Sequence, residues 1–126
     1  DDSTELPDEV TFTPRMKAMA ALASTQDARV TPMLAEIMRS APDESLRMEA
    51  ARNLAQLRTD PLAVDALLAS LSNERSAYVR LAALHSLDGV VDARLQPLLS
   101  QLAQHDPDRG VQVLAARLLS PLLSAR

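Results

Sequence analysis

The chain has 126 residues, a length that suits one domain with a buried core. Because 47% of the residues are hydrophobic but only 2% are aromatic, that core must be built mainly from Leu, Ala, Val and Met, and the presence of only two Gly residues favours helices over hairpins. A net charge of −4 and the absence of Cys argue against a nucleic-acid-binding surface, a disulfide framework and a thiolate metal site.

Residues 1–10 form an acidic segment that we interpret as a flexible tail or a linker, and we interpret residues 11–126 as one helical domain. The acids of the segment are Asp1, Asp2, Glu5, Asp8 and Glu9. Such a run has too little apolar area to offset the entropy of ordering it. Because the first residue is Asp rather than Met, we expect the chain to be a processed or excised piece.

No apolar run approaches the roughly 18 residues that a membrane-spanning helix requires. We therefore expect no membrane insertion by this segment. The absence of Cys fits either side of a membrane, so the sequence leaves the compartment open between cytoplasm and periplasm.

A pattern that recurs about every 32 residues predicts four helices of one kind, the A helices. Each copy places apolar residues at its first, third, fifth, sixth and ninth positions, which form a broad helical face. The residues expected to cap the helices are Thr11, Asp43, Ser76 and Asp108. The most regular columns are Ala18, Ala50, Ala83 and Ala115, and then Leu22, Leu54, Leu87 and Leu119. The predicted A helices lie near residues 13–24, 44–57, 77–90 and 109–123.

Three segments between these helices predict helices of a second kind, the B helices, near residues 28–39, 61–72 and 93–104. Asp27, Asp60 and Asp92 open them as N-cap residues, and Pro61 suits a first helical turn. Pro97 lies deeper in its segment, so we expect it to bend its helix or to delay its start.

One A–B hairpin cannot cover its own apolar side, whereas stacked hairpins bury one another. We therefore predict an all-α fold, a right-handed α-solenoid of about three and a half hairpins. Short connections join A to B within a hairpin, and the polar stretches 40–44 and 105–109 join one hairpin to the next. In this fold the Leu column should form one continuous buried row.

The segments from Asp43 to Leu54 and from Ser76 to Leu87 resemble HEAT-like repeats of the short bacterial, PBS-lyase type, whose helix opens with Asp-x-x-Val-Arg before a run of Ala and Leu. The resemblance covers about residues 11–123 and implies the same solenoid. A narrower resemblance is to the HEAT-like C-terminal domain of zinc-finger anti-sigma factors. Arg80 to Ala83 and Val111 to Gln112 carry that second resemblance, which implies a regulatory domain.

Arg15, Arg47 and Arg80 recur in the first turns of successive A helices. We predict that they are structural and tie neighbouring hairpins in register by contacts with capping residues such as Asp43 and Asp108. The alternative is a basic ladder for an anionic ligand.

The sequence contains no recognisable catalytic or cofactor-binding constellation. His85 and His105, its two histidines, have no second His or acid at metal-ligand spacing, and no Gly-rich phosphate loop or Ser-His-Asp order is present. We therefore predict a protein that is not an enzyme and that binds no metal and no cofactor. Bilin lyases share the HEAT-like fold, which makes a bilin lyase-like protein a remote alternative.

We predict a module that docks a protein or peptide partner on the concave side of the solenoid, which the B helices are expected to line. The candidate contact residues are Glu36, Arg39, Ser70, Asn73, Gln101 and Gln104. Their mixed and mostly uncharged side chains suit a surface held by scattered hydrogen bonds rather than a polyanion. An ordinary solvated face is the alternative.

The last A helix carries Leu114 and Leu118 at positions that point away from the hairpin core in the earlier A helices. The sequence therefore predicts an exposed apolar surface, available to a partner or to a homo-oligomer. Alternatively, Pro121 bends the end of the chain so that Leu122 and Leu123 fold back over the third hairpin.

Overall fold

The computed structural model describes residues 13–124, and the predicted acidic segment 1–10 lies outside them. The described chain is all-helical and forms the stacked helix pairs of an α-solenoid. Its helices are α1 (Pro14–Ser24), α2 (Val30–Ser40), α3 (Glu44–Leu54), α4 (Pro61–Asn73), α5 (Ala77–Ser86), α6 (Leu95–His105) and α7 (Arg109–Ser124). A 3₁₀ turn at Ala55–Leu57 follows α3. The A helices are α1, α3, α5 and α7, and the B helices are α2, α4 and α6.

Side-chain caps set where most helices begin. Asp43, Ser76 and Asp108 accept hydrogen bonds from the first turns of α3, α5 and α7. Thr13, two residues after the expected Thr11, accepts a 3.3 Å bond from Met16 N and caps α1.

Among the B helices, only α4 is capped as predicted, because the Asp60 carboxylate accepts a bond from Leu62 N. The Asp27 and Asp92 carboxylates instead accept hydrogen bonds from Arg29 N and Arg94 N, in turns that precede the helices. Helices α2 and α6 therefore begin only at Val30 and Leu95. These starts place Pro32 and Pro97 third in their helices. A missing N–H has no intrahelical partner to lose there.

One A-helix boundary differs from the sequence prediction. The third A helix ends at Ser86 rather than near residue 90, and Gly89 occupies the following turn with a φ of +87°, which disfavours residues other than Gly. The last A helix has nearly the predicted bounds and stays helical through Pro121 to Ser124.

The predicted buried row is correct for the central helices and wrong for α1. Leu54 and Leu87 are fully buried, Leu119 is half-buried, and Leu22 is 41% exposed. Ala18 is also exposed, because α1 buries Met16, Met19 and Ala23 instead. The helix is rotated so that these side chains, two of them long and apolar, face the core.

The helix pairs that pack most closely are not the ones expected. Each B helix packs more extensively against the A helix that follows it than against the one before it, giving the hairpins α2–α3, α4–α5 and α6–α7. The three-residue links 41–43, 74–76 and 106–108 are therefore hairpin turns. The longer A-to-B connections join one hairpin to the next.

The helices form two layers. In the A layer α1 packs on α3, α3 on α5 and α5 on α7, and in the B layer α2 packs on α4, whereas α4 and α6 barely touch. The buried column Ala50, Ala83 and Ala115 permits the close approach of the central and C-terminal A helices. Docking on a concave side lined by the B helices stays a prediction.

Candidate protein-binding surfaces

A ladder of arginines and acids joins successive hairpin turns. Arg47 Nε and Nη2 donate to the two carboxylate oxygens of Glu74 at 3.1 Å, and Arg47 Nη1 donates to the Ala41 and Pro42 carbonyls. Thus Arg47 on α3 connects its own turn, 41–43, to the next one, 74–76. This bidentate geometry is the strong form of an Arg–carboxylate contact.

The next rung repeats the arrangement at greater depth. Arg80 Nε and Nη2 donate to Asp106 at 2.8 and 2.9 Å, and Arg80 Nη1 donates to the Glu74 and Arg75 carbonyls. The side chains of Arg80 and Asp106 are only 8% and 3% exposed. We call Arg47, Glu74, Arg80 and Asp106 the Arg ladder. A buried pair of this kind is weak evidence for net stability, but removing one partner strands the other charge.

The remaining residues proposed as inter-repeat contacts lie elsewhere. Arg15 is exposed, two residues after the cap of α1, whereas Arg47 and Arg80 lie four residues after theirs. Asp43 and Asp108 cap their own helices and do not bond to the ladder arginines. Arg47 and Arg80 bond instead to Glu74 and Asp106, which each lie two residues before a cap residue. At the last rung Gln112 takes the Arg position and donates to the Asp106 carbonyl at 2.7 Å.

A second contact between repeats lies at the opposite ends of the A helices. Arg58 Nη1 donates to the carbonyls of Ser86 and Asp88 at 3.1 and 2.6 Å, where α5 ends. Ser86 Oγ donates to the Ala51 carbonyl at 2.8 Å. The sequence reasoning missed both contacts, because neither residue type recurs at its position in the other repeats.

The B helices frame a groove of about 450 Å³ between α2 and α4, which we call the B groove. Four of the predicted contact residues line it: Glu36, Arg39, Ser70 and Asn73. Between them lie apolar or small side chains: Pro32, Ala35, Met38, Leu62, Ala66 and Ala69. The groove is therefore an apolar trough with a polar rim.

Local ion pairs fix the rim. Arg39 donates to Glu36 one helical turn earlier, and Ser40 Oγ donates to the same carboxylate at 2.9 Å. These hydrogen bonds, that of Arg39 first, lower the pKa of Glu36. Gln101 and Gln104 are exposed on α6 and do not line the groove.

A larger and more open cavity of about 630 Å³ lies at the A-to-B connections and includes Arg58, Asp92 and Arg94. Arg94 bridges Asp92 to Asp65, at 2.8 and 2.9 Å. The side-chain bond from Arg94, followed by its backbone N–H, lowers the pKa of Asp92 from 3.8 to about 2. Arg29 has the same effect on Asp27.

The predicted exposed surface on the last helix needs a correction. Leu114 is only 7% exposed and Leu118 is half-buried, so Leu114 cannot serve as an external contact. The tight packing of α7 against α6 explains this burial. The exposed apolar residues of α7 are Val113 and Leu123.

Residues 13–124 contain no group of three or more His, Cys, Asp or Glu side chains arranged to hold a metal ion. In the same described range, no helix is both long and apolar enough to cross a bilayer.

Comparison with known proteins gives one match. A family model described as HEAT repeats matches residues 12–88, a segment that ends just after α5. No curated protein and no solved structure matches the chain.

Proposed function

Because the chain belongs to the HEAT-repeat family, we propose that it is a protein-binding module that holds a helical segment of a partner in the B groove. HEAT repeats commonly mediate protein–protein interaction. The observation that carries the proposal is the B groove itself, a trough of about 450 Å³ with an apolar floor that runs along the seam between α2 and α4.

The spacing of the lining residues supports a helical occupant. On α4 the groove side is made by Leu62, Ala66, Ala69 and Asn73, spaced three or four residues apart, so one continuous stripe of the helix faces the trough. Small side chains in such a stripe let another helix approach to about 8–10 Å. An amphipathic helix laid into an apolar groove is an established mode of recognition.

The rim supports specificity rather than affinity. Glu36 and Arg39 neutralise each other, and Asp65 is bridged to Arg94. A partner thus meets little net charge along the groove, and exposed ion pairs contribute little energy. Burial of the partner's apolar side chains against Leu62, which is 55% exposed, and against the neighbouring Ala66 and Ala69 supplies the main driving force in this proposal.

The test is a selection of displayed helical peptides on the immobilised chain, followed by affinity measurement with the purified peptides. Ala69→Arg places a long charged side chain in the trough and should weaken binding at least about tenfold, because this side chain occupies the space of the partner helix and its charge would lose water beside apolar side chains. Ala21→Arg, the same change at an exposed position on α1, is the matched control and should bind as the wild type does. Equal binding by both variants would sink the proposal.

The regulatory, anti-sigma-like role and the bilin lyase-like role remain predictions that rest on the sequence resemblance. Nothing in the B groove favours either. Self-association through the last helix loses support because Leu114 is buried.

A further inference from the structure

The exposed side of the A layer repeats two residue columns in register across α3, α5 and α7. One column is apolar and the other is cationic or imidazole. The apolar column is Met48, Leu81 and Val113, and the second column is Arg52, His85 and Arg117. Each member of the second column lies four residues after its apolar counterpart, so the two columns run side by side on one face. We call this surface the A face.

The A face is partly open to solvent. Met48 and Leu81 are half-buried and Val113 is 45% exposed. Tyr78 lies one turn before Leu81 and is 65% exposed, and the corresponding positions hold Ser45 and Gly110. The aromatic ring therefore lies at the middle helix of an apolar strip, flanked by small residues. Exposed Tyr in such a setting is typical of binding surfaces.

Two arginines give this face positive charge, although the chain as a whole carries −4. Arg52 pairs at 3.2 Å with Glu49, a carboxylate whose side chain is only 17% exposed, whereas the Arg52 side chain is 59% exposed. Within residues 13–124, no carboxylate forms an ion pair with Arg117. The second column thus presents a guanidinium on α3 and another on α7, with the exposed imidazole of His85 between them on α5.

The spacing of the column indicates the shape of its ligand. Packed helices lie about 8–10 Å apart, so the members of the second column repeat at roughly that distance along the stack. Two turns of an α-helix, about seven residues, advance about 11 Å. A helix that crosses the A helices and carries an acid at every seventh residue would place one carboxylate near each column member. Apolar residues three or four positions away would meet Tyr78 and Leu81.

We propose that the A face binds an acidic amphipathic helix of a partner protein, with carboxylates on the column of Arg52, His85 and Arg117 and apolar side chains on the strip around Tyr78. This surface is separate from the B groove, which lies on the opposite layer. The two proposals can therefore fail independently.

The probe is a fluorescein-labelled helical peptide of about 20 residues with Glu at every seventh position beside a Leu stripe. Its charge-reversed twin carries Lys in place of Glu. Fluorescence anisotropy should show the acidic peptide binding at least about tenfold more tightly than the twin, and the difference should shrink at high salt. Equal affinity of the two peptides would overturn the proposal.

Substitutions on the two layers test whether the acidic peptide binds on the A face. Arg52→Glu combined with Arg117→Glu should weaken the acidic peptide at least about tenfold, and Tyr78→Ser should weaken it severalfold. Arg75→Glu, the same charge reversal at an exposed position in the turn 74–76, is the matched control and should leave the affinity unchanged. Ala69→Arg shows whether the acidic peptide occupies the B groove instead, and it should also leave the affinity unchanged. Retained helicity by circular dichroism confirms that each variant folds. Loss of binding on Ala69→Arg but not on the A-face pair would contradict the assignment, as would tighter binding of a single-stranded oligonucleotide than of the peptide.

Discussion

The two ends of the A layer show what the Arg ladder adds to helix packing. At one end α1 packs on α3, and at the other α5 packs on α7, with similar extents of contact. The turn before α7 has Asp106, which holds Arg80 of the preceding A helix. The turn before α3 has Ala41 at the corresponding position, and its methyl group accepts no hydrogen bond.

This difference does not arise from the backbone. Ala41 has φ −63° and ψ 133°, and Asp106 has φ −62° and ψ 136°. The hairpin turn therefore forms without an acid, and the acid serves to connect one hairpin to the next. Two consequences follow: stability should depend on the ladder at the C-terminal step, and α1 should depend on apolar contacts alone for its attachment to the turn before α3.

The largest expected effect comes from removing the buried acid. Asp106→Ala leaves the buried Arg80 guanidinium without a carboxylate, with two carbonyl acceptors and little access to water, and should lower the free energy of unfolding by about 3–5 kcal/mol, measured by urea denaturation. Asp108→Ala, which removes only a cap in the same turn, should cost about 1 kcal/mol. Replacing both partners, Arg80→Met with Asp106→Leu, should restore most of the loss, because no charge is then left unpaired. Equal losses in the free energy of unfolding for all three variants would show that the unpaired Arg80 charge is not the cause.

The rotation of α1 gives the next prediction. Leu87→Ala should lower the free energy of unfolding by about 2–5 kcal/mol, since Leu87 is fully buried. Leu22→Ala, at the position that the sequence pattern equates with it, should lower the free energy of unfolding by less than about 1 kcal/mol, because Leu22 is largely exposed. Similar losses would show that α1 is in the register predicted from the sequence.

The Arg47–Glu74 pair should contribute less to the free energy of unfolding than the Arg80–Asp106 pair. Glu74→Ala leaves the Arg47 side chain, which is 14% exposed, with its two carbonyl acceptors and some access to water. We expect a loss of about 1–3 kcal/mol in the free energy of unfolding, below that of Asp106→Ala measured in the same urea titration. A larger loss for Glu74→Ala would invert the proposed order of the rungs.

The smallest effect concerns acid pH at the exposed Arg94 contact. The depressed pKa of Asp92 means that its stabilising contribution is full above pH 3.8, its unfolded value, and is lost as the pH falls through about 2. Arg94→Gln should return the Asp92 pKa toward 3.8, which carboxyl-detected NMR titration can follow. An unchanged midpoint in the variant would assign the shift to something other than Arg94.

The sequence predicted the fold and helix order because the caps and apolar columns of the central repeats agree with one another. It placed α1 within a residue of its observed bounds but assigned it the wrong buried face, because the repeat pattern was aligned with Thr11 as the cap whereas Thr13 caps the helix. The acids of the ladder escaped notice because Glu74 and Asp106 differ in type, and their side chains reach an Arg on a neighbouring repeat.

The candidate surfaces were predicted only in part. Glu36, Arg39 and Asn73 follow from helical periodicity, which gives the exposed side of a helix. Ser70 was expected on the same side and is wrong as an exposed contact, because it is only 8% exposed at the floor of the groove. Whether two neighbouring helices leave a groove depends on their spacing, which periodicity does not contain. The same limit explains why Leu114 was expected at the surface, since the packing of α6 on α7 covers it.

Hydrogen exchange of the wild type and Asp106→Ala, measured side by side by mass spectrometry, tests whether the ladder joins successive hairpins. The variant should lose protection most in α6 and α7, the two helices joined by the turn that contains Asp106, while α1 should change least. Unchanged protection in α6 and α7 would contradict this role of the ladder.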